Sequence, residues 1–197
     1  MGREAHAGRS KGEHANAAHD LAKKIVALQN LNDPKQERSV NVGYFQGGQD
    51  RYNIICGHAT AKLDVRFSTL KHRDWLHQRI HAILEQPLEV SVDGKFKTQT
   101  TYQIVDDCPP VSPTRKAVKI SQAYIAAIQT LEARKIKAEA AGGAGDVNYL
   151  SRKGIVVLDG FGAVGGEMHT RREFVEIRTL GTRAVALAHF VNVIQTY

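Results

Sequence analysis

The sequence predicts an α+β protein: a ferredoxin-like domain that lacks its first strand, followed by part of an α/β domain. Three observations carry this reading. Residues 1–108 switch between helical and strand periodicity in the order α-β-β-α-β, which is the β-α-β-β-α-β unit without its leading strand. The stretch Cys108-Pro109-Pro110-Val111-Ser112-Pro113 concentrates prolines and marks a domain boundary. Residues 109–197 then hold several helical stretches but a single convincing strand, too little for a closed α/β layer.

Taken in order, Ala18, Leu21, Ile25 and Leu28 recur at helical spacing within residues 12–30, and Asn32-Asp33-Pro34 is the stop. Val40, Val42 and Tyr44 alternate with polar or small residues up to the turn Gly47-Gly48-Gln49-Asp50. In the next run Ala61, Leu63, Val65 and Phe67 face one way, and Thr60, Lys62, Asp64 and Arg66 the other. These two runs predict a hairpin. Leu76, Ile80, Ile83 and Leu84 restore helical spacing over residues 70–86, which Pro87 ends, and residues 88–105 alternate again as a strand or hairpin. After the boundary the sequence predicts a helix over 115–135, a glycine turn at Gly142-Gly143-Ala144-Gly145 and a short helical turn. A strand over 155–158, a glycine-rich loop and a last helix through Leu180, Ala184, Leu187, Val191 and Ile194 complete the chain.

With 42% hydrophobic and 24% charged residues the chain reads as globular, and no apolar run approaches the roughly 20 residues of a membrane span. No membrane association is expected. The N-terminal segment lacks the apolar core of a secretory signal, so a cytoplasmic protein is expected. Cys56 and Cys108 have no metal-type spacing and are expected as reduced thiols. The net charge of +7 attracts anions in general. Its lysines and arginines are scattered, however, and no aromatic-interleaved basic stripe accompanies them, so no nucleic-acid partner is expected.

Several constellations compete as sites. Gly160-Phe161-Gly162-Ala163-Val164-Gly165 is a literal G-x-G-x-x-G after a predicted strand, but no apolar periodicity opens a helix at its last glycine, as a dinucleotide site demands. His77 and His81 are spaced as in a zinc H-E-x-x-H helix, yet Gln78 stands where the glutamate would be, and surface histidines are the better reading. His169 lies on a polar loop beyond a strand end, open to two readings, a metal ligand or an ordinary loop histidine. His6, in Gly2-Arg3-Glu4-Ala5-His6-Ala7-Gly8, is flanked by small residues that admit another chain or a ligand; a histidine in a frayed terminus fits equally. Asp64 and Arg66 share a strand face, which makes an ion pair the default, and Asn53 has no distinguishing chemistry in isolation.

Together, GREAHAG, YNIICGHATAKLDVRF, GGAGDVNY and LDGFGAVGGEMHTRREFVEI, in this order and spacing, resemble the co-catalytic zinc amidohydrolases. That family includes glutamate carboxypeptidase, acetylornithine deacetylase and succinyl-diaminopimelate desuccinylase. The resemblance runs over nearly the whole chain and implies a lid or dimerisation domain over residues 1–108 and the C-terminal part of a zinc-exopeptidase catalytic domain over 109–197. In such enzymes two zinc ions, replaceable by Co or Mn, activate a water that attacks the scissile amide carbonyl, with a glutamate as general base. His169 matches the family's last histidine ligand. His6 matches the lid histidine that reaches the neighbouring subunit's site and polarises the carbonyl or the oxyanion. Asn53 and Arg66 match residues that hold substrate, and Gly143, Ala144 and Gly145 match a loop lining the pocket for the amino-acid carboxylate.

Two departures are local: Gly145 stands where the family carries Ser or Thr, and Asp106-Asp107-Cys108-Pro109-Pro110 replaces an arginine before proline. A larger one concerns the family's H-x-D, bridging Asp, E-E pair and further acidic ligand. All of these precede the lid and none is in this chain. The implied function is therefore the C-terminal portion of a hydrolase of N-acyl, N-carbamoyl or peptidyl amino acids, a homodimer through its lid, with the isolated chain expected inactive. The alternative is a truncated, non-catalytic dimerisation module.

Overall fold

The computed structural model describes residues 1–151 and 155–194. The chain divides into two compact units, Met1–Pro110 and Val111–Tyr197.

The first unit opens with β1 (Ala5–His6) and α1 (Ala17–Gln29). Helix α1 begins at Ala17 rather than near residue 12, because Asn16 caps it: its Oδ1 accepts the Ala18 and His19 N–H groups at 3.0 and 3.3 Å. A single 3₁₀ turn at Pro34–Gln36 leads into β2 (Arg38–Gly47), and β3 (Ile54–Ile55) and β4 (Ala59–Phe67) follow. The expected hairpin forms as an antiparallel pair of β2 and β4, from Arg38↔Phe67 to Gly47↔Ala59. Its register shifts between Val42 and Tyr44, where Gly43 falls. Helix α2 (Leu70–Glu85), capped by the Thr69 hydroxyl on His72 N–H at 3.1 Å, closes the α-β-β-α core.

The alternation of β4 decides what is buried. Leu63, Val65 and Phe67 pack with Val40 of β2 against Leu28 of α1 and Leu76, Ile80 and Leu84 of α2. Burying each fully enclosed leucine contributes about 1.5–3 kcal/mol. The opposite face exposes Lys62, Asp64 and Arg66. Asn32 covers part of the β2 edge as a strand would: its amide accepts Val40 N–H at 2.8 Å and donates to Val40 C=O at 3.2 Å.

Of the expected strand or hairpin over residues 88–105, a minimal hairpin forms: the antiparallel bridge Val90↔Lys97 is flanked by Ser91 N–H donating to Phe96 C=O at 2.8 Å and Thr98 N–H to Glu89 C=O at 3.0 Å, and no longer strand follows. Side chains of α1 fasten this segment further. Asp20 accepts Leu88 N–H at 2.8 Å and the Thr98 hydroxyl at 2.6 Å, while Lys24 donates to Thr100 Oγ1 at 2.6 Å.

In the second unit α3 (Arg115–Gln129) packs on α5 (Ile177–Ile194). Ile120, Tyr124, Ala127 and Ile128 meet Ala186 and Phe190 in its core. Helix α3 stops short of the expected residue 135. Just past its end Glu132 turns inward, where its carboxylate accepts from Arg183 Nε at 3.0 Å and the Thr182 hydroxyl at 2.6 Å. The predicted strand over 155–158 does not form: these residues carry no regular secondary structure and belong to no ladder among the described residues. Its apolar run is accounted for by packing instead, since Val156 and Leu158 lie against the α3–α5 core. Helix α4 (Asp146–Ser151) follows the glycine turn, and β5 (Gly165–Gly166) pairs with β6 (Phe174–Val175) in a short hairpin.

Candidate functional site

The candidate residues fall into two groups, one in each unit. In the first, β1 lies antiparallel to β3 with His6 opposite Ile54, and Ala7 N–H donates to Asn53 C=O at 2.9 Å. His6 and Asn53, distant in sequence, thus stand at adjacent steps of one short ladder, both exposed. The chain turns sharply after His6, whose carbonyl accepts the Arg9 and Ser10 N–H groups, each at 3.0 Å. Gly8 N–H donates to His6 Nδ1 at 3.2 Å. With Nδ1 accepting, the neutral imidazole carries its proton on Nε2, which is left to donate outward. The same turn borders an open depression of about 250 Å³ lined by Arg3, Arg9 and Lys11 with Glu4 and Glu13.

Arg66 belongs to a different ladder. It sits opposite Ser39 on β4. The strand path from Ala59 to Arg66 is about 23 Å at the usual rise per residue. Its Nε lies 2.8 Å from Asp64 Oδ1, with both side chains half exposed. Hydrogen bonding to Asp64, before the Coulomb attraction of the same carboxylate, holds the guanidinium pKa above its ordinary value. The structure therefore joins His6 with Asn53 and gives Arg66 to Asp64.

In the second unit Gly143, Ala144 and Gly145 form an exposed turn. Gly145 N–H donates to Asn148 Oδ1 at 3.0 Å, so one of its backbone donors is already engaged. The β5–β6 hairpin needs its glycines for proximity: a Cβ on Gly165 would stand 2.5 Å from Phe174 O, and one on Gly166 2.8 Å from the Phe174 ring. A strand, not a helix, follows the G-x-G-x-x-G, so no helix N-terminus faces a phosphate there.

His169 occupies the hairpin tip with φ 66°, and Glu167 has φ 54°, both in the left-handed region. Bonds within the turn hold this conformation. Thr170 Oγ1 donates to Glu167 C=O at 2.8 Å and accepts Arg172 N–H at 3.1 Å, and Arg172 pairs with Glu167 at 2.7 Å. Glu173 is turned back to accept His169 N–H at 3.3 Å. The exposed imidazole could hold a metal, but one imidazole does not make a zinc site. Among the described residues no three His, Cys, Asp or Glu side chains converge to complete one.

Local sequence signals missed the supports of these groups. Gly8, which sets the His6 tautomer, was legible only as a small neighbour. Thr179, at the start of α5, and Arg134, beyond the end of α3, carry no motif, yet both fasten the hairpin root: Thr179 Oγ1 accepts Val164 N–H at 2.9 Å and Arg134 reaches Glu176 at 2.7 Å.

Residues 1–91 match the family described as the peptidase dimerisation domain. The match lies within the first of the two units. A succinyl-diaminopimelate desuccinylase of Magnetococcus marinus is 26% identical over 170 residues, 84% of this chain and 42% of that protein. The enzyme of the same name from Cupriavidus necator is 29% identical over 133 residues, 67% of this chain and 31% of its own. Among solved structures, a tripeptidase of Staphylococcus aureus aligns at a TM-score of 0.70 and 19% identity, over 100% of this chain and 50% of its own. An aminopeptidase of Bacillus cereus aligns at 0.67 and 19% identity, over 96% and 48%. The chain thus spans half or less of the length of these relatives, and the structural likenesses establish its fold. Among its described residues no helix is long and apolar enough to cross a membrane.

Proposed function

We propose that this chain is the C-terminal portion of a zinc-dependent amidohydrolase that cleaves the amide bond of N-acyl, N-carbamoyl or peptidyl amino acids. In this reading residues 1–108 are a lid through which two copies dimerise. Residues 109–197 complete the catalytic domain. The observation that carries it is the His6 turn: a neutral imidazole whose Nδ1 is held by Gly8 N–H and whose Nε2–H is left to donate.

Such a donor suits the oxygen of a scissile carbonyl, which gains negative charge as water adds to the carbon. Asn53, beside His6, adds an amide that donates or accepts toward the same substrate. Arg66 has a second use only if Asp64 shares it; its exposed guanidinium then takes a substrate carboxylate in bidentate fashion. The turn at Gly143, Ala144 and Gly145 offers unbranched backbone for close approach of that carboxylate. His169 gives one imidazole to the metal site, and the remaining ligands and the general base come from outside this chain. Succinylated amino acids are the substrates to try first, by analogy with the names of the desuccinylase relatives.

The test compares the purified 197-residue chain with the same chain joined to the coding segment upstream of it. The reading predicts stoichiometric zinc and amide hydrolysis only in the joined protein. Zinc and hydrolysis in the chain alone would contradict it, as would an upstream frame without an H-x-D and an E-E. A stable, metal-free dimer that no joined segment activates would favour a non-catalytic dimerisation module.

A further inference from the structure

His169 stands at the tip of a hairpin whose side chains are largely in solvent, with Met168 72% and Phe174 and Val175 each 51% exposed. Such a tip has no core of its own, so its direction is set at its root. The chain enters the root from Phe161, whose ring packs on Tyr124 at 4.5 Å and whose carbonyl accepts the Tyr124 hydroxyl at 3.2 Å. At Val164 both backbone groups are then engaged. Its carbonyl accepts Glu176 N–H at 2.7 Å, which closes the hairpin, and its N–H donates to Thr179 Oγ1 at 2.9 Å. The Thr179 hydroxyl donates in turn to Glu176 C=O at 2.6 Å, so one buried hydroxyl bonds to both arms of the root. Thr179 is 1% exposed and lies on α5, which is packed on α3.

We infer that Thr179 is the positioning residue for His169. It fixes the angle at which the hairpin leaves α5 and hence where the imidazole points. The inference rests on the reading of His169 as a metal ligand, but its geometry is independent of any metal. The turn-internal bonds of residues 167–173 make the tip a unit, so a change at the root reorients it without unravelling it. Arg134, bonded to the Glu176 carboxylate at 2.7 Å, braces the same root from beyond the end of α3. Residue 164 is fifteen residues from Thr179, too far for a local motif to reveal the bond between them.

The test is carried out on the whole 197-residue chain by NMR, with Thr179→Val, which keeps shape but removes both hydrogen bonds, and Thr179→Ser, which keeps them. In T179V the residual dipolar couplings of residues 165–175 should change relative to those of α3 and α5, while T179S stays as wild type. The Val164 amide of T179V should exchange roughly tenfold faster, the loss of one hydrogen bond. Unchanged hairpin couplings in T179V overturn the inference, and so does disturbance of α3 and α5 to the same degree. If T179V does not fold, the wild type decides: a Val164 amide exchanging as fast as the amides of residues 167–170 excludes a clasp at the root, and one protected like α5 supports it. Zinc that leaves the His169 ring resonances of the joined protein in place counts against the metal reading alone, whereas the couplings judge the clasp alone.

Discussion

The Asp20 carboxylate and the Lys24 ammonium meet at 2.8 Å one turn apart on α1, with side chains only 6% and 1% exposed. They are nearly removed from water, and each also holds the segment that follows α2. Asp20 takes Leu88 N–H and the Thr98 hydroxyl, and Lys24 reaches Thr100. The pair fastens residues 88–100 to α1, beside the short backbone pairing of Ser91 with Phe96 and of Thr98 with Glu89. Asp20→Asn would leave a buried ammonium without its counter-charge, which costs about 3–5 kcal/mol. Urea unfolding of the whole chain measures this, and a loss under about 1 kcal/mol would show that water reaches the pair and screens it.

The same pair makes stability depend on acid. Burial by itself pushes the Asp20 pKa up, but hydrogen bonds from Lys24, Thr98 and Leu88 N–H outweigh it and hold the carboxyl below its ordinary value. A folded-state pKa lower than the unfolded one means the contribution is complete above the unfolded value and fades as pH falls through the folded one. The difference in melting temperature between wild type and D20N should therefore be constant near neutrality and shrink below about pH 4. A difference that persists unchanged at pH 2 would assign the stabilisation to packing.

The glycines of the G-x-G-x-x-G make separable predictions. A Cβ at Gly162 meets nothing within 4 Å, whereas one at Gly165 runs into the Phe174 carbonyl at 2.5 Å. Gly162→Ala should lie within about 0.5 kcal/mol of wild type. Gly165→Ala should cost about 1–3 kcal/mol and disturb the β5–β6 amides. The reverse order, with Gly162 sensitive and Gly165 tolerant, would point to a close approach at Gly162 that the hairpin does not explain.

What the sequence revealed follows from how local each signal is. The β2–β4 pair and α2 were legible because Leu63, Val65 and Phe67 alternate and Leu76, Ile80 and Leu84 recur at helical spacing, so each element declares its buried face. Residues 88–105 gave less strand than their alternation suggests, because beyond the short pairing around Val90 and Lys97 their backbone bonds go to Gly12 and Met1 and to the Asp20 carboxylate, all far back in sequence. Residues 155–158 misled because an apolar run reads alike whether a ladder or a helix pair covers it. His6 and His169 were visible as candidates. What orients them was not: Gly8 acts through its N–H, and Thr179 through a hydroxyl fifteen residues from the amide it binds.

The most direct test of the proposed enzyme uses the joined protein and mixes His6→Ala with His169→Ala. If His6 serves the partner's site, each homodimer is nearly inactive. A mixed dimer then holds one intact site, with His169 from one subunit and His6 from the other. Random reassociation should restore roughly a quarter of wild-type amide hydrolysis, set by the two-fold symmetry of the dimer. No recovery, with both variants folded and dimeric, would contradict a lid histidine acting across the dimer, and full activity in either variant alone would remove that residue from the site.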